Sequence, residues 1–316
     1  MTVEHPTIEG FWRFCSLRQE AYWLRQRGQR HPDPAFRYHF CNVYREADKG
    51  TVWFRRESEP RLHGDRLEKL VDLIWFSVAY RLVNRLDTFE EFGGLPPRED
   101  KLHWLRFLEE RMRGGHKVFT GRHLNVGFSK YRGALDHLDE NMLGNGVTLG
   151  IADSVRNALY LKQVVQAVER IPGVGTFFGW QVTCDLTEAG RLDVCDSDKW
   201  VHLGPGAWNA LKLIYPGARR ADSVRQAVEL WQTQRYHVVG SMEKCEECGG
   251  TGKIHSHNDI CDSCDRRGRW ILDPPPQAPG PMSLKNVEHA LCEYARYVRV
   301  ISTPEGKGVG LEVKKW

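Results

Sequence analysis

Apolar residues recur every third or fourth position in three long runs of the first 115 residues. They are FWRFCSLRQEAYWLRQR from Phe11, DRLEKLVDLIWFSVAYRLVNRL from Asp65 and REDKLHWLRFLEERMR from Arg98. That period belongs to a helix with one buried face, so each run predicts a helix. Pro32 and Pro34, the stretch from Gly93 to Pro97, and Gly114 with Gly115 punctuate the runs, as residues that end helices should. SVRNALYLKQVVQAVERI, from Ser154, predicts a further helix, and Ser283 to Val300 a last one with Ser283 as its N-cap. Period-two alternation is scarce, so the expected class is mainly α.

The segment IPGVGTFFGWQVTCD, Ile171 to Asp185, stands out against this background. Pro172 and Gly173 end one helix and Gly175 opens the next, which predicts a helix-hairpin-helix element. Glycines let a backbone approach closely, and the first N–H groups of a helix are unpaired donors that favour an anion. Such an element holds a nucleic-acid backbone without reading its bases; an ordinary helix turn closed by a glycine is the other reading of the same residues. A second start of this kind is LGPGAWNAL, where Gly204, Pro205 and Gly206 precede an apolar helical run. Between the two lie Asp185, Glu188, Asp193, Asp196 and Asp198, either solvated loop and cap residues or groups that take part in chemistry beside phosphate.

Composition narrows the class without naming an activity. With 316 residues, 41% hydrophobic and 27% charged, the chain is long enough for two or three lobes. No apolar run is long enough to cross a membrane, and the start MTVEHPTIEGFWRF lacks the order of a signal peptide, so a cytoplasmic protein is expected. The net charge of +4 is mild, but its arginines cluster near aromatics. Arg25, Arg27 and Arg30, then Arg55, Arg56 and Arg61, then Arg111, Arg113, Lys117 and Arg122 are interleaved with Trp23, Trp53, Phe54 and Trp104. That mixture suits phosphate contact with base stacking, and equally a solvated face over buried tryptophans.

Of nine cysteines, four form a tight group: Cys245 and Cys248 in KCEECGGTGK, Cys261 and Cys264 in ICDSCDRRGR. Two CxxC knuckles supply four thiolates for tetrahedral zinc, and four protein ligands leave no open position, so the ion is expected to be structural. The other cysteines sit singly in apolar contexts and read as reduced core residues. The stretch PPPQAPGP, Pro274 to Pro281, reads as a stiff linker.

Several segments together resemble one family. FWRF from Phe11, FCNVYREAD from Phe40, VFTG from Val118, the hairpin IPGVGTFFGWQVTCDL, the loop GPGAWNAL and VEHALCEYARYVR from Val287 are similar to the alpha-glutamyl/putrescinyl thymine pyrophosphorylases. The resemblance implies a fold like the helix-hairpin-helix DNA glycosylases, a helical core here carrying a small four-cysteine zinc-knuckle insert. It implies a phage enzyme acting in the bacterial host cytoplasm on double-stranded DNA that carries 5-hydroxymethyluracil activated as a pyrophosphate ester. A small amine or amino acid donor then displaces pyrophosphate. A related kinase shares a similar helical domain, but no GxxxxGK[ST] phosphate loop occurs in the sequence.

On this resemblance the candidate reacting groups are Asp185, Asp198, Arg45 and Asp48. Asp196 and Asp198 approximate the offset at which a glycosylase carries its aspartate, and NVYREAD is expected on a helix, where it could equally form a buried polar network. Trp180 is the aromatic expected to wall a base pocket. Gly173, Gly175, Gly204, Gly206, Thr120 and Arg122 are the expected phosphate contacts. Four segments are expected: a helical domain over 1–160, the hairpin and GPGA region over 161–235, the zinc module over 240–273, and a C-terminal helix and tail over 282–316 packing on the helical core. Two alternatives to the transferase stand, a glycosylase acting on a modified pyrimidine and a nonenzymatic DNA-binding protein.

Overall fold

The computed structural model describes residues 6–119, 149–239 and 270–303. Its longer helices in chain order are α1 (Ile8–Gln26), α2 (Lys49–Ser58), α3 (Arg66–Val83), α4 (Leu86–Phe92), α5 (Lys101–Arg113) and α6 (Leu149–Arg156). They are followed by α7 (Leu161–Val168), α8 (Thr176–Glu188), α9 (Pro205–Ile214), α10 (Ser223–Gln232) and α11 (Leu284–Ser302). Two short strands, β1 (Val238–Val239) and β2 (Trp270–Ile271), pair in parallel with Val238 opposite Trp270. The protein is mainly helical, as its hydrophobic period predicts. The contacts divide it into two units, Lys49–Ser197 forming one and Met1–Asp48 with Asp198–Trp316 the other. That division is not serial, because α11 packs on α1 and α9, helices from distant parts of the chain.

In the unit Lys49–Ser197, α3 is the central helix. Asp65 closes a capping box with Glu68 at its start, Asn84 ends it in the left-handed conformation, and every residue from Val71 to Val83 except Asp72 is buried. A helix buried on nearly all faces needs neighbours around it. It packs against α2, α6 and α8, and an aromatic cluster of Trp53, Tyr80, Phe89, Phe92, Trp104 and Phe107 fills the space toward α4 and α5. The run from Ser154 to Ile171 is two helices rather than the single helix its period predicts. Gln163 Oε1 accepts from the amides of Leu159 (2.9 Å) and Tyr160 (3.1 Å), and Asp196 Oδ1 accepts from Leu161 N at 2.8 Å. These side chains satisfy the donors of a new helix start, so the break at 157–160 costs little.

In the other unit, α9 and α11 share the most extensive helix contact among the described residues. A Cβ on Gly206 would collide with Cys292 Sγ, so glycine there lets the two helices approach. The strand pair is held against α1: Ser16 Oγ donates to Ile271 O, and Gln19 Nε2 and Trp23 Nε1 donate to Asp273 O at 2.7 and 3.0 Å. The proline-rich stretch is tied down at its end, where Trp231 Nε1 donates to Met282 O at 2.8 Å and Tyr44 Oη to Gly280 O at 3.0 Å. Among the described residues no helix is long and apolar enough to cross a membrane.

Candidate functional site

The segment from Phe40 to Asp48 is not the helix its sequence suggests. It is an irregular loop ending in a single 3-10 turn, Arg45–Ala47. Its shape comes from polar side chains that replace the missing backbone ladder. Arg18 of α1 reaches beneath it, donating from Nε to Cys41 O (2.9 Å) and from Nη2 to Phe40 O (3.0 Å) and Asn42 Oδ1. Asn42 then closes the loop on itself, its amide donating to Asp48 Oδ1 at 2.8 Å and its Nδ2 to Ala47 O at 2.7 Å.

The other wall is α11. Asn286, His289, Glu293 and Arg296 lie three or four residues apart and therefore share a face of that helix. His289 Nε2 and Asp48 Oδ2 share a hydrogen bond of 2.9 Å. Asn286 accepts from Arg45 N at 3.0 Å and donates to Glu46 Oε2 at 2.9 Å. Glu293 Oε2 accepts from Cys41 N at 3.0 Å and pairs with Arg296, whose Nη2 also donates to His39 O at 2.9 Å. Glu293 thus pairs with Arg296 one turn along α11 while holding the loop backbone. The sulfur of Cys41, a carboxylate oxygen of Asp48 and a ring nitrogen of His289 all lie within 4.8 Å of one another, each residue partly buried.

The charges in this network are unequal in their surroundings. Burial pushes Asp48 up, but the His289 hydrogen bond and charge, the Asn42 amide and Arg18 outweigh it, and its carboxyl stays below the ordinary carboxylate value. Arg18 is drawn down to about 10, chiefly by burial and then by Arg25, against the pull of Asp48, Cys41 and Glu293. Its Nη1 is buried and finds no hydrogen-bond partner among the described residues. Burial, with Glu293 and Glu288 nearby, pushes Cys292 up to about 12, so it remains a thiol.

Arg45 and Asp48 therefore fall in one network, with Arg45 buried and Asp48 beside His289. His289 was not singled out by sequence reasoning. The available signal was the polar stripe at 286, 289, 293 and 296, which shares its helix with Lys285, Glu288 and Arg299 and so does not stand out in the sequence.

Asp185 stands elsewhere, in the unit Lys49–Ser197. It is fully buried on α8; Ser77 Oγ donates to its Oδ2 at 2.6 Å, and Arg81 grips both oxygens, with Nε to Oδ2 at 2.8 Å. Held from α3 in this way, the carboxylate joins two helices, a structural use of the residue that was expected among the reacting groups. Trp180 is likewise buried on α8. Asp198 is exposed on the loop between α8 and α9, and Asp196 caps α7.

Gly173, at φ +82°, makes the left-handed turn between α7 and α8, and Gly175 caps α8 with open space where a side chain would stand. Gly204 caps α9, while Gly206 serves the contact with α11. The expected phosphate contacts Thr120 and Arg122, and the zinc ligands Cys245, Cys248, Cys261 and Cys264, lie outside the described residues.

Fold and site together define a mainly helical protein whose loop 40–48 and last helix enclose a network of buried charge. The family model described as the helical domain of 5-hmdU DNA kinase matches residues 5–262. The chain belongs to that family. A curated relative, the 5-hmdU DNA kinase of Bacillus phage SP10, is 25% identical over 232 residues, an alignment covering 63% of this chain and 35% of the relative. The chain thus spans about a third of that relative's length. No solved structure matches it.

Proposed function

We propose that the chain is a DNA-modifying transferase, in which an amine or amino acid displaces pyrophosphate from activated 5-hydroxymethyluracil in double-stranded DNA. The observation that carries this is the 2.9 Å contact between Asp48 and His289, set in the loop that resembles the transferase family. Membership of the helical-domain family supports the substrate, since the relative's name couples that domain to 5-hmdU DNA.

The reaction makes two electrostatic demands. The amine nitrogen must lose its extra proton before it attacks the exocyclic methylene, and the breaking C–O bond delivers its electron pair to pyrophosphate. Carboxylates suit the first demand and guanidinium groups the second. Asp48, Glu46 and Glu293 are the carboxylates of the network, and Arg18 and Arg296 its guanidiniums, with Arg45 joined to it through its backbone amide. The turn at Gly173 and Gly175 is assigned to the DNA backbone, with Thr120 and Arg122 as further phosphate contacts and Asp198 as an accessory carboxylate. The group of four cysteines is assigned a structural zinc ion.

The test is to mix the protein with DNA carrying the pyrophosphate ester and, in turn, glycine, glutamate and putrescine, and to weigh the nucleosides. The expected result is a base heavier by the amine, with one pyrophosphate released per base. His289→Ala and Asp48→Asn should lower turnover by about 10²–10⁴ while DNA affinity holds. Unchanged nucleosides with every amine would refute the transferase. Abasic sites would instead identify a glycosylase, and phosphate taken up from ATP onto 5-hydroxymethyluracil would identify the kinase activity that the family name favours.

A further inference from the structure

We propose that Cys41, Asp48 and His289 hold a divalent transition-metal ion, zinc by ligand type, with a coordination position left for an oxygen of the leaving pyrophosphate. The site itself stands on geometry, and only its use rests on the transferase reading above.

The three ligand atoms come together from two places in the chain and lie within 4.8 Å of one another. Bonds of about 2.0 Å to nitrogen and oxygen and 2.3 Å to sulfur place tetrahedral ligands roughly 3.3–3.6 Å apart. Asp48 Oδ2 and His289 Nε2, at 2.9 Å, would open by about 0.4 Å, and the sulfur would close by at most about 1.5 Å, to take an ion between them. One sulfur, one nitrogen and one oxygen form a borderline-soft set, which selects zinc over magnesium or calcium.

Each ligand is also held from behind, as metal ligands usually are. Cys41 is fixed through its backbone, the amide to Glu293 and the carbonyl to Arg18. Asp48 spends Oδ1 on the Asn42 amide, so Oδ2 is the oxygen that faces the imidazole and would take the cation. His289 sits one turn before Glu293 on α11, so a single helix positions both a ligand and the group that orients Cys41. A thiolate and a carboxylate balance the two charges of the ion. Three protein ligands leave the fourth position open, the pattern of a catalytic rather than a structural ion, and a cation there polarises a phosphoryl oxygen.

The measurement is zinc content per folded chain in the full-length protein, compared with Cys41→Ser and His289→Ala. The cysteines at 245–264, assigned an ion of their own above, would add to the total, so the readout is the difference. Each variant should carry one zinc ion fewer than the unaltered protein; equal content in folded variants would overturn the site. If the variants do not fold, cadmium-113 resonance of the unaltered chain decides. A signal upfield of the four-thiolate region supports the mixed site, and a four-thiolate signal alone overturns it. An extra zinc in a protein that transfers no amine would sink the transferase and leave the ion in place. Undiminished transfer after that zinc has been stripped would overturn the ion's role and leave the transferase standing.

Discussion

Removing the carboxylate of Asp185 separates structure from chemistry in the α3–α8 pair. In Asp185→Ala the Arg81 guanidinium, 8% exposed, loses the partner that holds it charged against the cost of burial, and Ser77 loses its acceptor. Breaking one side of a buried ion pair costs about 3–5 kcal/mol, because the remaining charge is left uncompensated. At roughly 2–4 °C per kcal/mol for a protein of 150–250 residues, a loss near 4 kcal/mol lowers Tm by about 8–16 °C. Urea titration and thermal melting measure both quantities. Arg81→Met combined with Asp185→Leu should recover most of the loss, since replacing both charges by apolar groups of similar size is nearly neutral or stabilising. The coupling energy from that cycle is therefore large. A Tm for Asp185→Ala within about 2 °C of the parent, well below the shift a broken buried pair brings, together with abolished turnover, would refute the structural assignment and return Asp185 to the reaction.

Three further outcomes follow from named contacts. Asp48 has a lowered carboxyl value, so its stabilisation is complete above the ordinary value near 3.8 and fades as pH falls through the lowered one; Asp48→Asn should flatten acid unfolding in that range. Gly206→Ala should cost about 1–3 kcal/mol in urea unfolding through overpacking. Cys292→Ala should recover part of that loss, because the sulfur is the atom the new Cβ meets first. Gly175→Thr should leave stability within about 0.5 kcal/mol, since threonine caps a helix about as well as glycine and has open space there. Its DNA affinity, measured by anisotropy, should nonetheless fall, because the side chain holds a phosphate away from the backbone; unchanged affinity would remove this turn from the interface.

Much of the architecture is written in local pattern. The period of three and four in FWRFCSLRQEAYWLRQR and in the run from Asp65 specifies α1 and α3, because a helix with a buried face must repeat its apolar positions. Pro172 and Gly173 specify the turn before α8 for an equally local reason, since Gly173 adopts a backbone angle that other residues avoid. Local pattern misleads where side chains from afar take over the backbone's donors. The run from Ser154 breaks because Asp196 caps Leu161, and NVYREAD is no helix because Arg18 and α11 hold it open. The charged groups show the limit most plainly. Asp185 meets Arg81 across 104 residues, and Asp48 meets His289 across 241. The sequence by itself determined that the fold is helical and where its strongly periodic helices lie; only the tertiary structure decided which charged residues are spent on one another, because partners so distant leave no periodic trace.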